Sequence, residues 1–205
     1  VKFLKENPIE YSKLIDTITI PVTEFFRDSE VWKDFKTKVI PELISRKESK
    51  NQKIIRIWSA GCASGEEAYS IAMSMKDILD EKFGEFKISI YGTDIDKEAL
   101  NKAKKGFYKD EEVENVPREY LKDYFTYDDG YKVRKDIKRF VKFKKHNLIS
   151  GEEISSFDII FCRNILIYFS RETHEKIHMK LYRSLSSSGY LIIGKTELLH
   201  GKARK

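Results

Sequence analysis

Glu66 and Glu67 stand side by side just after a glycine turn, within IIRIWSAGCASGEEAYSIAMSM at residues 54–75. A turn that opens a helix offers backbone N–H groups and a positive dipole, the usual seat of a phosphate. Two carboxylates in that first turn suit the dipole but repel phosphate. They welcome an ammonium group or a ribose hydroxyl. Asp94 closes a second apolar run at residues 88–93, and acidic residues at such strand ends bind ribose hydroxyls. The interval from Gly65 to Asp94 exceeds the roughly 20 residues of a dinucleotide fingerprint. A longer helix and a turn over residues 81–85 absorb the excess. An adenosine with a cationic sulfonium and an amino-acid tail, and no phosphate, fits these groups: S-adenosylmethionine. The plainer alternative is an ordinary βα unit whose glutamates serve only the dipole.

Further chemistry-bearing residues lie at other strand ends. FDIIFC, residues 157–162, reads as a buried strand that delivers Arg163 and Asn164, with Tyr168 close behind. Ligands of open α/β sheets bind beyond the carboxyl ends of the strands, so these three are placed for function; a salt-bridged arginine among core aromatics is the alternative. His146-Asn147-Leu148 ends another strand-like run. In TITIPVTEFFRD, residues 17–28, Thr23, Phe25, Phe26 and Arg27 crowd together. Either the phenylalanines plug the core at a helix start, or the segment lies across the cofactor with Arg27 aimed into the cleft. His174 and His178 share a helix face, but no third metal ligand accompanies them. No Ser-His or Cys-His arrangement for nucleophilic catalysis is evident.

The elements that must position these residues follow from periodicity. Residues 54–58 form a buried strand, and Ala68, Ile71, Ala72, Met75, Ile78 and Leu79 make one helical stripe after the turn. Tyr11, Leu14, Ile15 and Ile18 mark a short helix, too short to fold alone and so taken as the remnant of a larger amino-terminal helical region. Residues 31–44 form an amphipathic helix, kinked or interrupted at Pro41. Asp96 caps a helix that Gly106 ends. A helix over 117–124 and strands near 131–134 and 140–144, set off by the turn Asp128-Asp129-Gly130, form a small β-rich insert within about 107–145. The framework resumes at 141–148. Ser170 caps a last helix, Gly189 stops it, and residues 190–194 form a final buried strand. The expected fold is α/β: a mostly parallel, Rossmann-like sheet with helices on both faces. Residues 1–30 would be the helical remnant and cofactor-covering segment, and residues 31–205 the main domain.

With 205 residues, 40% hydrophobic and 35% charged, the chain suits a single soluble domain. No run approaches the length of a membrane span, and no signal peptide is visible. Two cysteines give neither a disulfide framework nor metal spacing, which suits a reducing cytoplasm. The net charge of +6 implies attraction to an acidic partner. The basic residues form no single tract, so nucleic acid is not expected.

Four blocks, VTEFFRD, RIWSAGCASGEEAYSIAM, YGTDID and FDIIFCRNILIYF, together resemble the CheR family of chemotaxis receptor glutamate O-methyltransferases. Order and spacing agree over nearly the whole chain. The resemblance implies methyl transfer from S-adenosylmethionine to glutamate side chains on the cytoplasmic helical region of receptors, without a metal, by a monomer. It implies that Thr23, Arg27, Glu67, Asp94, Asn147, Leu148, Cys162 and Arg163 contact the cofactor, with Glu66 competing for the helix-start role. Asn164 joins them by its strand-end position. Arg27 and Tyr168 would flank the reacting methyl. Three departures stand out. Pro21 occupies an asparagine-type position, the turn at 128–130 looks too short to capture a receptor's tail peptide, and the antiparallel last strand of such sheets is expected beyond residue 205. The rival readings are a non-catalytic cofactor-binding or receptor-docking protein, and a methyltransferase acting on RNA or a small molecule.

Overall fold

The structure is a computed structural model that describes Asn7 and residues 23–199. The expected helix before residue 20 and the Pro21 position lie outside the described residues.

Strand β1 (Ile54–Ala60) is the middle of a five-stranded sheet ordered β6-β2-β1-β7-β8. Its neighbours are β2 (Lys87–Asp94) and β7 (Phe157–Cys162). The outer strands are β6 (Val141–Lys145) and β8 (Leu185–Ile193). Every pairing is parallel. A parallel sheet must be covered on both faces, and alternate residues of β1 divide accordingly. Ile55 and Ile57 enter a large core with the amino-terminal helices and the helix after β1, whereas Trp58 and Ala60 enter a smaller one with Phe157, Ile177 and Leu181. Chain order reverses direction between β1 and β7, and a crevice forms at such a switch point beyond the carboxyl ends.

Helix α1 (Ser29–Asp34) runs through a π-helical segment, Phe35–Val39, into α2 (Ile40–Ser49). The expected kink or interruption at Pro41 takes this form: the α-helical ladder gives way to the π-helical stretch just ahead of the ring, where the missing N–H is absorbed. Helix α3 (Glu66–Leu79) follows β1, and α4 (Lys97–Lys105) follows β2. The Asp96 carboxylate accepts from Glu98 and Ala99 N–H, and Gly106 closes the helix at φ 60°.

The insert is a three-stranded antiparallel sheet ordered β3-β5-β4, from β3 (Phe107–Tyr108), β4 (Phe125–Tyr127) and β5 (Tyr131–Val133). Helix α5 (Arg118–Tyr124) leads into β4, and the short α6 (Lys135–Lys138) follows β5. The insert thus ends before β6: residues 141–145 pair with β2 and belong to the main sheet, correcting the expected hairpin partner at 140–144. The partner of β5 across the Asp128–Gly130 turn is β4. Strands this short carry too little alternation to be told apart by pattern.

Two expectations fail near the far end of the described chain. Helix α7 (Arg171–Ser184) stops five residues before Gly189, and β8 starts at once at Leu185, with an irregularity opposite Phe157 and Ile159. Ser186 to Ser188 and Gly189 have turn chemistry, which hid the strand. Ser170 has an extended backbone, but its hydroxyl meets Thr173 Oγ1 at 3.1 Å rather than capping the helix.

Candidate active site

The turn from Gly61 to Gly65 is held from the neighbouring strand. Gly61 and Cys62 donate N–H bonds to the Thr93 carbonyl, 2.7 and 2.9 Å, and Ala63 N–H donates to Asp94 Oδ2, 2.8 Å. Asp94 Oδ1 accepts from Asp96 N–H at 2.9 Å. Each carboxylate oxygen has two acceptor sites, so Asp94 can brace the turn and still receive a hydroxyl. Gly61 has a left-handed φ of 69°, and a Cβ there would come 2.3 Å from Ile165 Cδ1. Only glycine fits between the two loops.

The two helix-start glutamates have different partners. Glu67 accepts from the Ser59 hydroxyl, 2.7 Å, and faces Arg163 Nη1 at 3.4 Å. Burial pushes its carboxyl up, while Arg163 and Ser59 pull it back. Glu66 is buried, with one oxygen on the Ser64 hydroxyl at 2.8 Å and the other, Oε2, without a hydrogen-bond partner among the described residues. Burial raises its carboxyl too, offset by its own backbone N–H, Ser64, Lys102 and the Thr23 hydroxyl. Asp94, Glu67 and Glu66 all add to burial in pushing up the Cys62 thiol, which marks the turn as strongly negative.

Arg163 joins the two ends of the chain. Its Nη2 donates to the Arg27 carbonyl, 2.9 Å, and to Asp28 Oδ2, 2.7 Å. Its side chain is 2% exposed, and the guanidinium lies 6.0 Å from the Trp32 ring centre. The segment it grips is tightly wound, with Phe26 and Asp28 both left-handed at φ 54° and 59°. Phe25 lies edge-on to Tyr108 and Phe125, while Phe26 N–H donates to Ser70 Oγ at 3.1 Å and Trp32 Nε1 to the Arg27 carbonyl at 2.9 Å. The phenylalanines fill the core, as the plainer reading of this stretch has it, and Arg27 is half-buried, with its carbonyl on Arg163.

Asn147 and Leu148 follow β6, tied to the site where His146 N–H meets the Asp94 carbonyl at 2.9 Å. Asn147 Oδ1 accepts from Ile149 and Ser150 N–H, which leaves its amide NH₂ to donate. Leu148 packs on the smaller core. Cys162 is fully enclosed at the end of β7. Asn164 follows in a left-handed conformation, φ 58°. The side chain of Tyr168 lies outside the described residues.

Sequence reasoning missed Glu197, buried beyond β8, whose carboxylate accepts N–H bonds from Gly194, Asn164, Ile165 and Leu166. Its partners are backbone groups, which no residue type betrays.

These donors and acceptors fit S-adenosylmethionine. The three carboxylates suit an ammonium and ribose hydroxyls, and the buried Glu66 carboxylate, beside the Ser64 and Thr23 hydroxyls, keeps acceptor sites for a ligand donor. Among the described residues no group of three His, Cys, Asp or Glu is placed to hold a metal, and no helix is long and apolar enough to cross a membrane.

The parallel sheet, the glycine turn with its acidic helix start and the acidic end of β2 define a class I S-adenosylmethionine-dependent methyltransferase domain. The profile described as "CheR methyltransferase, SAM binding domain" matches residues 21–205. A chemotaxis protein methyltransferase of Borreliella burgdorferi is 38% identical over 208 residues, covering 98% of this chain and 73% of that protein. Its counterpart in Listeria monocytogenes is 32% identical, covering 96% and 72%. That of Escherichia coli K12 is 32% identical, covering 92% and 64%. The chain belongs to the CheR methyltransferase family.

Proposed function

We propose that this protein transfers the methyl group of S-adenosylmethionine to glutamate carboxylates of chemotaxis receptors, forming methyl esters. The observation that carries this reading is the grip of Arg163 on Arg27, Asp28 and Glu67. Two sequence blocks that set this family apart, FFRD and CRN, meet at one guanidinium beside the acidic helix start.

The cofactor supplies an electrophilic methyl on a sulfonium. The substrate carboxylate, with a reference pKa of about 4.3, is already ionised at neutral pH, so the protein needs no general base. Its task is orientation, which alone is worth several powers of ten. Thr23, Glu67, Asp94, Asn147, Leu148, Cys162, Arg163 and Asn164 would hold the cofactor, with Arg27 and Tyr168 flanking the methyl. Glu66 competes with Glu67 for the helix-start contact, and Glu67 also steadies Arg163. Arg27 would steer the incoming carboxylate and Tyr168 would orient it.

The finer assignments belong to the same reading: a cytoplasmic monomer acting on the helical region of the receptor, without tail capture by the short Asp128–Gly130 turn. Incubation with radiolabelled cofactor and receptor cytoplasmic fragments tests it. Base-labile label on glutamates is expected, in equal amount on full-length and tail-deleted receptor. Base-stable label, or label on RNA, would sink the proposal, and a large loss on tail deletion would show that the insert does bind the tail.

A further inference from the structure

The turn after β7 is built around an anion. Asn164 is left-handed and Ile165 right-handed, φ 58° and −107°, so the successive N–H groups of residues 164–166 converge. Such a concavity is a nest, a ready seat for a phosphate or carboxylate. Here the chain fills it with Glu197. Oε2 accepts from Asn164, 3.0 Å, and Gly194, 2.8 Å; Oε1 accepts from Ile165, 3.0 Å, and Leu166, 2.9 Å. The fit extends to Gly194, where a Cβ would stand 2.7 Å from Oε2. Four bonds to a charged acceptor clamp this turn to the end of β8.

What the clamp holds borders the cleft on two sides. Arg163 immediately precedes the nest, and the Ile165 side chain abuts Gly61 in the glycine turn. A shift of residues 164–166 would move both together.

We propose that Glu197 is a positioning residue of the cofactor site. It fills the nest with negative charge and thereby fixes Arg163 against Glu67 and Ile165 against Gly61. This rests on the S-adenosylmethionine reading above. It also explains why an anion-binding turn can border a site for a cationic ligand: its capacity for anions is already spent.

The test is calorimetric titration of S-adenosylhomocysteine into wild type, Glu197→Ala, Glu197→Gln and Ile137→Val, the last a core change in the short helix of the insert. The expected result is a loss of affinity of about tenfold or more in both Glu197 variants. Excess acetate should restore most of it in Glu197→Ala, by refilling the nest. Ile137→Val should bind as wild type despite a lower Tm. Glu197 variants with wild-type affinity, or a loss that acetate leaves untouched, would overturn the proposal. Absence of binding by wild type would instead overturn the cofactor reading itself.

Discussion

Burial opposes the charge of Glu66 and Glu67 and raises both carboxyls above their ordinary value. With both raised above their ordinary value, the folded chain binds protons more tightly than the unfolded chain just above pH 4.5. Stability therefore falls as pH rises through that window and stays reduced above it. Glu66→Gln should raise the Tm of the ligand-free protein at pH 8, by roughly 2–4 °C for each ~1 kcal/mol recovered. The gain should fade as pH falls toward 4.5, which differential scanning calorimetry at several pH values would reveal. The same variant should weaken binding of the cationic cofactor, and wild-type binding should weaken at acid pH as Glu66 takes up a proton. The acidic pair was legible in the sequence because residue type and place agree. Their division of labour was not. It depends on Ser59, Ser64 and Arg163, of which only Ser64 lies within three positions of Glu66.

The VTEFFRD segment joins the insert to the main sheet through rings. Phe25 lies 4.8 Å from Tyr108 and 5.7 Å from Phe125, centre to centre, and is fully buried. Phe25→Ala should cost about 3–5 kcal/mol. It should also lower cofactor affinity more than a core change of equal cost in α7, since it loosens the carbonyl that Arg163 grips. Chemical denaturation paired with calorimetry would separate the two effects. The strand-turn-helix of β1 and α3 and the wholly buried β7, apolar but for Asp158, could be read from sequence because one pattern dominates each. Residues 125–145 could not be divided correctly, because three-residue strands and a five-residue edge strand share one basic-apolar alternation. The start of β8 was hidden by Ser186, Ser187, Ser188 and Gly189, residues with little preference for strand that fall in the irregularity between the Leu185–Phe157 and Tyr190–Ile159 pairs.

At the scale of the molecule, the net charge is +6. Lys105 and Lys109 stand beside Phe107 at a depression of about 520 Å³ that Glu98 and the Lys102–Glu112 ion pair also line. An acidic receptor surface would be drawn to the protein as a whole over a range that salt shortens from about 10 Å at 0.1 M to about 3 Å at 1 M. Methylation should then lose about tenfold in kcat/KM over that span with little change in kcat. Lys105→Glu with Lys109→Glu should lower the low-salt rate and flatten the slope. Initial rates at graded ionic strength decide this, and a salt-independent kcat/KM would remove steering from the account.

The bond from Arg163 to the Arg27 carbonyl spans 136 positions. At about 5–20 residues per second of synthesis, roughly 7–27 s separate the emergence of its two ends. Local helices form in about a microsecond. For those seconds the early segment has its phenylalanines but neither Tyr108, then Phe125, nor finally the arginine that fastens it. The cleft thus cannot close until Arg163 has emerged. Cofactor stabilises only chains that have reached that point, since a ligand shifts folding by binding the finished site. Abundant cofactor in the cell cannot rescue a nascent or truncated chain; it rewards completion alone.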